Sequence, residues 1–300
     1  MRIFVTGASG YIGSAVAGAL SRAGHQVFGL VRTAEKARAA EAREIAPVLG
    51  ALQDTAAWSG AAASCQVCIH CAFDSSAGWN ADRMAIETVL DRAHESGQPR
   101  LFLYTSGVWI YGDTGGAAAD EASDLHPLPF SLPRLEHERF AMSGASDLVR
   151  VVVLRPGCVY GGRGGLTASW FENGAIVGDG HNRWAMVHVE DLADAYARAA
   201  ESSCEEEIFN ITDRSRFTVR ECAEAALRAA QHGGPIQATP VEEAVRTMGA
   251  WAAALAFDQH IDSSYAARRL GWQPRHGGFV DGVERYHAAW KASRAESPGQ

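Results

Sequence analysis

The chain has 300 residues, 47% of them hydrophobic, and a formal net charge of −8. That length suits one large domain, or one domain with a smaller cap, and the apolar content is ample for a sizeable core. Acidic and basic residues are interspersed with no basic stripe, and no apolar run nears the roughly 18 residues of a membrane span, so neither nucleic acid nor a membrane is an expected partner.

Met1 leads straight into an apolar run with no charged leader before it, which predicts a cytoplasmic protein. Ile3–Val5 reads as a strand. Tyr11–Ala23 reads as a helix whose small residues allow close packing on a sheet, and Gly24 ends it. Val27–Val31 is a second strand, followed by a helical stretch over Ala34–Arg43 and a short strand at Ala46–Leu49. Val67–Ala72 is the fourth strand, Ala81–Ser96 a helix stopped by Gly97 and Pro99, and Leu101–Thr105 the fifth strand. Leu132–Met142 is helical and Val151–Leu154 is the sixth strand.

Alternation of this kind predicts a parallel sheet with helices on both faces, whose ligands bind beyond the carboxyl ends of the strands, where Gly7, Arg32, Phe73, Ser106 and Arg155 fall. After Gly161 the pattern loosens. Gly161–Asp179 reads as a Gly-rich loop, Glu190–Glu201 as a helix, Ile208–Ile211 as a strand, and Thr218–Gln231 as a helix capped by Thr218. The expected organisation is a dinucleotide-binding domain over 1–160, a substrate-binding region over 161–295 interleaved with the last sheet strands, and a frayed tail over 296–300.

Cys65, Cys68 and Cys71 resemble a metal cluster at first sight. Along a strand, alternation turns Cys68 away from the other two, which the strand rise sets about 20 Å apart, so buried structural thiols are expected rather than a metal. Lysine is scarce: Lys36 and Lys291 stand against 25 arginines, a bias under which some Lys-to-Arg exchange is compositional drift.

The most specific local feature is Thr6-Gly7-Ala8-Ser9-Gly10-Tyr11-Ile12-Gly13, three glycines spaced by three between a strand and a helix. Gly7 permits the tight turn, Gly10 lets the backbone approach a pyrophosphate, and Gly13 lets helix and strand pack closely. The free N–H groups of the first helical turn then attract phosphate. With this turn, the sheet is expected to be a Rossmann-type doubly wound α/β fold with a small C-terminal α/β substrate domain. At the end of the second strand an acid would suit NAD, but the chain reads Val31-Arg32-Thr33 with Lys36 one turn on, and Arg32 can fork onto a 2′-phosphate. NADP(H) is therefore the expected cofactor, ahead of NAD(H).

These residues resemble the extended, atypical short-chain dehydrogenases/reductases of the epimerase/dehydratase-like group. The resemblance rests on Thr6–Gly13, Tyr104–Gly112, Leu154–Gly161, Val187–Ala195 and Leu270–Pro274, five motifs in the expected order along nearly the whole chain. It implies that Pro156, Gly157 and Val159 flank the nicotinamide and that Cys71 and Ala72 lie beside the cofactor ribose. Ser9, Leu52, Thr105 and Arg134 complete the cofactor set it suggests. It also implies a homodimer through the helices near 81–96 and 131–143.

The departures from the family are equally specific. The family's catalytic Ser falls on Gly107, and its Tyr-x-x-x-Lys on Phe130-Ser131-Leu132-Pro133-Arg134. Residues 113–145 contain neither Tyr nor Lys, so no shift of alignment restores them. Phenylalanine has no proton to give, and arginine stays charged. Where nucleotide-sugar members carry a phosphate-binding Arg four residues before the His of the His-Val-x-Asp motif, this chain has Trp184, which either faces an apolar ligand or packs under the C-terminal region. Trp109, Phe130 and Trp170 extend the expected apolar wall, with Phe73 and Gly107 beside it. His188 and Asp191 are expected to brace a helix start.

Three readings remain open at this point. The first is an NADP(H)-dependent reductase of a small apolar or aromatic carbonyl, imine or activated alkene, with Ser106, Asp74, His126, Arg134 or water handling the proton. The second is a non-redox cyclase, isomerase or dehydratase on the same scaffold. The third is an NADP(H)-sensing regulator.

Overall fold

The computed structural model describes residues 1–74 and 76–295; the tail expected to fray lies outside them. Its centre is a seven-stranded parallel sheet: β1 (Arg2–Thr6), β2 (Gln26–Val31), β3 (Ala46–Leu49), β4 (Val67–His70), β5 (Arg100–Thr105), β6 (Val149–Pro156) and β7 (Glu207–Ile211). They lie in the order β7-β6-β5-β4-β1-β2-β3. The register sets Ile3 opposite both Val27 and Val67. The order reverses between β1 and β4, which opens a crevice at the carboxyl ends of those two strands.

Both faces of the sheet are covered, so its strands read as continuous apolar runs. Successive side chains alternate between two cores. Ile3, Val5, Leu103 and Leu154 pack with Val16 and Leu20 of α1 (Tyr11–Arg22) and with Leu192 and Tyr196 of α6 (Val189–Glu201). Phe4, Phe102, Tyr104 and Val153 face the other side. There they meet Trp58 of α3 (Thr55–Ala63) and Ile86 and Val89 of α4 (Gly78–Glu95), with Ala141 of α5 (Leu132–Ser143) alongside. Helix α2 (Ala34–Glu41) completes the N-terminal half, its first turn capped by the Thr33 hydroxyl.

One element went unread in the sequence and two expectations are corrected. Helix α3 has no apolar stripe to announce it, since seven of its nine residues are Ala, Gly or Ser, and its Trp58 alone supplies a large buried anchor. The stretch 161–179 is not all loop: Ala168–Asn173 is helical and Ala175–Val177 is a strand paired with Gln237–Thr239. Its apolar anchors Trp170, Phe171, Ile176 and Val177 sit in a third core with Tyr160, Trp184 and Phe279. Finally, Cys65 and Cys68 pack in the same core while Cys71 packs in the other, because β4 begins only at Val67 and strict alternation does not reach back to Cys65.

Beyond Gly161 the chain both returns to the sheet, through α6 and β7, and builds the third core around α7 (Val219–Ala229). Thr218 caps α7 in a reciprocal box with Glu221. No described helix is long and apolar enough to cross a membrane.

Candidate active site

The turn after β1 is built for close backbone approach. Gly7 adopts φ +70° and accepts a 2.8 Å hydrogen bond from the Gly10 N–H. A Cβ on Gly13 would lie 2.2 Å from the Gly7 carbonyl oxygen, so helix and turn can meet only if that side chain is absent. Gly10 heads α1 with no side-chain cap, leaving the first N–H groups of a twelve-residue helix available to an anion. The residues present thus fit the pyrophosphate of a dinucleotide.

From this turn a groove of about 660 Å³ runs past Leu52 to Arg32 and Lys36. Ser9, Gly10 and Gly13 line its other wall. Arg32 Nη1 lies 3.4 Å from Asp74 Oδ2. Hydrogen bonds from the Ser76 hydroxyl and backbone, with the charge of Arg32, hold the Asp74 carboxyl below its usual range. Asp74 is therefore ionised and belongs to the Arg32 end of the groove, away from the second cavity, which corrects its candidacy as a proton donor there.

That second cavity, about 510 Å³, shares Tyr11, Ile12, Cys71, Ala72 and Phe73 with the groove, so the two form one trough. Thr105, Arg134, Pro156, Gly157 and Val159 line it, and every residue of the expected cofactor set therefore faces the groove or the cavity. Its walls are aromatic: Phe73, Trp79, Trp109, Phe130 and Trp251, with Trp109 edge-on to Phe130 at 5.7 Å. Ser106 and Gly107 lie on the same wall. Gly107 has extended φ (177°), and a Cβ there would meet only Pro156 O, at 3.9 Å, so nothing in the backbone excludes a serine.

Other expected residues lie elsewhere. Trp170 and Trp184 do not line the cavity. They stack at 5.1 Å in the third core, where Trp184 Nε1 donates to Leu255 O at 2.9 Å. That settles Trp184 as packing, and the wall position is taken by Trp251, which local pattern did not single out. His126 is exposed and does not line the cavity. Arg155 is buried and engaged in a bidentate pair with Glu138. His188 caps α6, its Nδ1 accepting the Glu190 N–H at 3.2 Å.

Beneath Arg134 lies a polar cluster that sequence reading missed. Asp82 of α4, fully buried, accepts from His137 Nδ1 at 2.6 Å, Tyr104 OH at 3.0 Å and His70 Nε2 at 3.0 Å. Burial alone would raise the Asp82 carboxyl. The bonds from His137 and His70 and the nearby charge of Arg134 outweigh that and hold it well below the ordinary value. The available signal was a carboxylate on the apolar stripe of a helix, one turn before Ile86.

The cavity thiols are inert. Burial pushes Cys71 up to about 11 and Cys158 up to about 12, so neither is a thiolate near neutral pH.

The model of the NAD dependent epimerase/dehydratase family matches residues 3–212. An uncharacterized protein of Schizosaccharomyces pombe is 31% identical over 93% of this chain and 97% of its own length. A 4-hydroxy-2-methyl-3-oxo-4-farnesyl-3,4-dihydroquinoline-1-oxide ketoreductase of Stigmatella aurantiaca is 26% identical over 73% of this chain and 70% of its own. The crystal structure of human epimerase family protein SDR39U1 with NADPH superposes with a TM-score of 0.79 at 20% identity, covering 96% of this chain and 99% of that one.

Proposed function

Because the chain belongs to the NAD-dependent epimerase/dehydratase family, we propose that it is an NADP(H)-dependent reductase of a small apolar or aromatic carbonyl, imine or activated alkene. One observation carries the reading. A single trough joins a phosphate-binding turn and a cationic end, Arg32 and Lys36, to an aromatic-walled cavity. The NADPH named with the human SDR39U1 structure and the ketoreductase named among the relatives support the same direction.

When bound, the cofactor would supply the reducing equivalent. The polypeptide does the rest. The Gly7–Gly13 turn would hold the pyrophosphate, Arg32 the 2′-phosphate, and Pro156 to Val159 would flank the nicotinamide end. The aromatic walls exclude water and orient a flat substrate. Gly107 and Phe130 supply neither hydroxyl, so the family's usual side-chain relay has no counterpart here. Ser106 is the cavity hydroxyl whose buried oxygen has no partner among the described residues, with water as the other proton source.

The test follows loss of reduced-nicotinamide absorbance when protein and NADPH meet aromatic ketones and unsaturated carbonyls. Sustained oxidation supports the proposal. Tight NADPH binding with no turnover across the panel rejects it, as does product formation with no net loss of NADPH. The same reading assigns a homodimer contact to α4 and α5, where Met84 and Leu132 are exposed; sedimentation checks it.

A further inference from the structure

Most of the cavity's hydroxyl and charged side chains are engaged within the protein. Tyr11 OH donates to Gly161 O at 2.6 Å, Thr105 Oγ1 to His70 O at 2.6 Å, and Ser131 Oγ to Leu128 O at 3.1 Å. Among those hydroxyl and charged groups, two exceptions remain. Ser106, 8% exposed, has a buried Oγ without a partner among the described residues. Arg134, whose side chain is 20% exposed, is bound on one side only. Its Nη1 donates to Tyr104 OH at 3.0 Å and Thr105 O at 3.2 Å and lies 3.6 Å from Asp82 Oδ1, while Nε and Nη2 have no hydrogen-bond partner among the described residues.

The guanidinium is also fixed in orientation. Its carbon stands 4.7 Å from the centre of the Trp79 ring and 5.2 Å from that of Phe73, so aromatic surface lies close on the cavity side. The Asp82 cluster holds it from beneath and is anchored in turn. The ionised Asp82 can only accept, so His70 Nε2 donates to it, while His70 Nδ1 lies 2.7 Å from Thr6 Oγ1, which also accepts the Ala72 N–H. Elements β1, β4, β5, α4 and α5 all contribute.

We propose that Arg134, positioned by Asp82 and Tyr104, is the receptor for a phenolate- or enolate-type oxygen on a flat conjugated ligand. The proposal rests on the reading of this cavity as the substrate site and names the ligand class. A guanidinium stays protonated, so it stabilises negative charge on oxygen without donating its proton. Enclosure in apolar walls strengthens that attraction relative to water. A delocalised oxyanion suits such a donor; a localised alkoxide needs a proton that no side chain at positions 107 or 130 can give. Asp82 and Tyr104 touch no ligand in this scheme and are positioning residues.

The experiment titrates 4-nitrophenol and, separately, nitrobenzene into cofactor-free protein, reading the phenolate absorbance band and tryptophan fluorescence. The wild type is expected to bind the phenolate at least roughly tenfold more tightly than nitrobenzene, one charge-assisted hydrogen bond's worth. Arg134→Met should lose that preference and keep nitrobenzene binding. Asp82→Asn and Tyr104→Phe should each weaken phenolate binding several-fold at unchanged nitrobenzene affinity, the second serving if the first fails to fold. Equal affinity for the two probes in wild type overturns the proposal, as does a preference that survives Arg134→Met. If Arg134→Met instead weakens NADPH and spares the phenolate, Arg134 serves the cofactor ribose and the proposal falls. A protein that binds NADPH but neither probe refutes this inference alone, whereas failure to bind NADPH refutes the functional reading independently.

Discussion

The indole of Trp170 lies on that of Trp184, ring centroids 5.1 Å apart and 27° from parallel, in a core that also holds Phe279 edge-on at 5.3 Å from Trp170. Both indoles are nearly inaccessible, so they are expected to act on stability, whereas half-buried Trp109 lines the cavity and is expected to act on a bound ligand. Trp170→Ala is expected to cost about 3–5 kcal/mol, read by denaturant unfolding. Trp109→Ala should leave the unfolding midpoint nearly unchanged while weakening aromatic ligands. Equal destabilisation by the two would contradict this division.

The Gly7–Gly13 contact predicts an all-or-none response. Gly13→Ala places a methyl 2.2 Å from the Gly7 carbonyl oxygen, which only displacement of the turn can relieve. Dinucleotide binding should disappear in a fluorescence titration. Gly60 in α3 is the matched control, since a Cβ there meets nothing within 4 Å. Gly60→Ala should raise stability by up to about 1 kcal/mol and leave binding intact.

Arg32 predicts cofactor choice. Arg32→Glu removes the proposed 2′-phosphate fork and places like charge beside Asp74. NADPH should weaken roughly tenfold to hundredfold, corresponding to about 1.5–3 kcal/mol for a charged hydrogen bond, with little change for NADH. Calorimetric titration of both cofactors decides it, and equal losses would remove Arg32 from the 2′-phosphate role.

His188 predicts an acid-side loss of stability. Burial, and the neighbouring His276, push its imidazole down to about 4. The unfolded chain takes up that proton near the ordinary value of about 6.5, while the folded protein resists it. The contribution is thus fully present above pH 6.5 and declines as pH falls toward 4, by about 3 kcal/mol. His188→Asn keeps an acceptor for the α6 cap and should flatten this part of the stability–pH curve in urea unfolding. A slope identical to wild type would show that other groups carry it.

The parts of this protein that could be read from its sequence are those set by local chemistry. Ala46–Leu49 matches its strand residue for residue, and α7 begins at its Thr218 cap as the hydroxyl–carboxylate spacing requires. The turn that heads the groove was legible because its geometry demands glycine at fixed positions. Trp170 was misjudged and Trp184 left undecided because the direction of a side chain in a Gly-rich segment is decided by distant partners such as Leu255 and Phe279. Asp82, His70, Tyr104 and His137 come together from four separate elements, so no spacing along the chain could announce them.

The open space beside Gly107 has a consequence for how this site can change. Neighbours neither crowd that position nor depend on its being bare, so a hydroxymethyl group can be grafted there without rebuilding the wall. The chain is in that respect a ready chassis: a hydroxyl can be installed at position 107 by itself, and its worth measured against an otherwise untouched background.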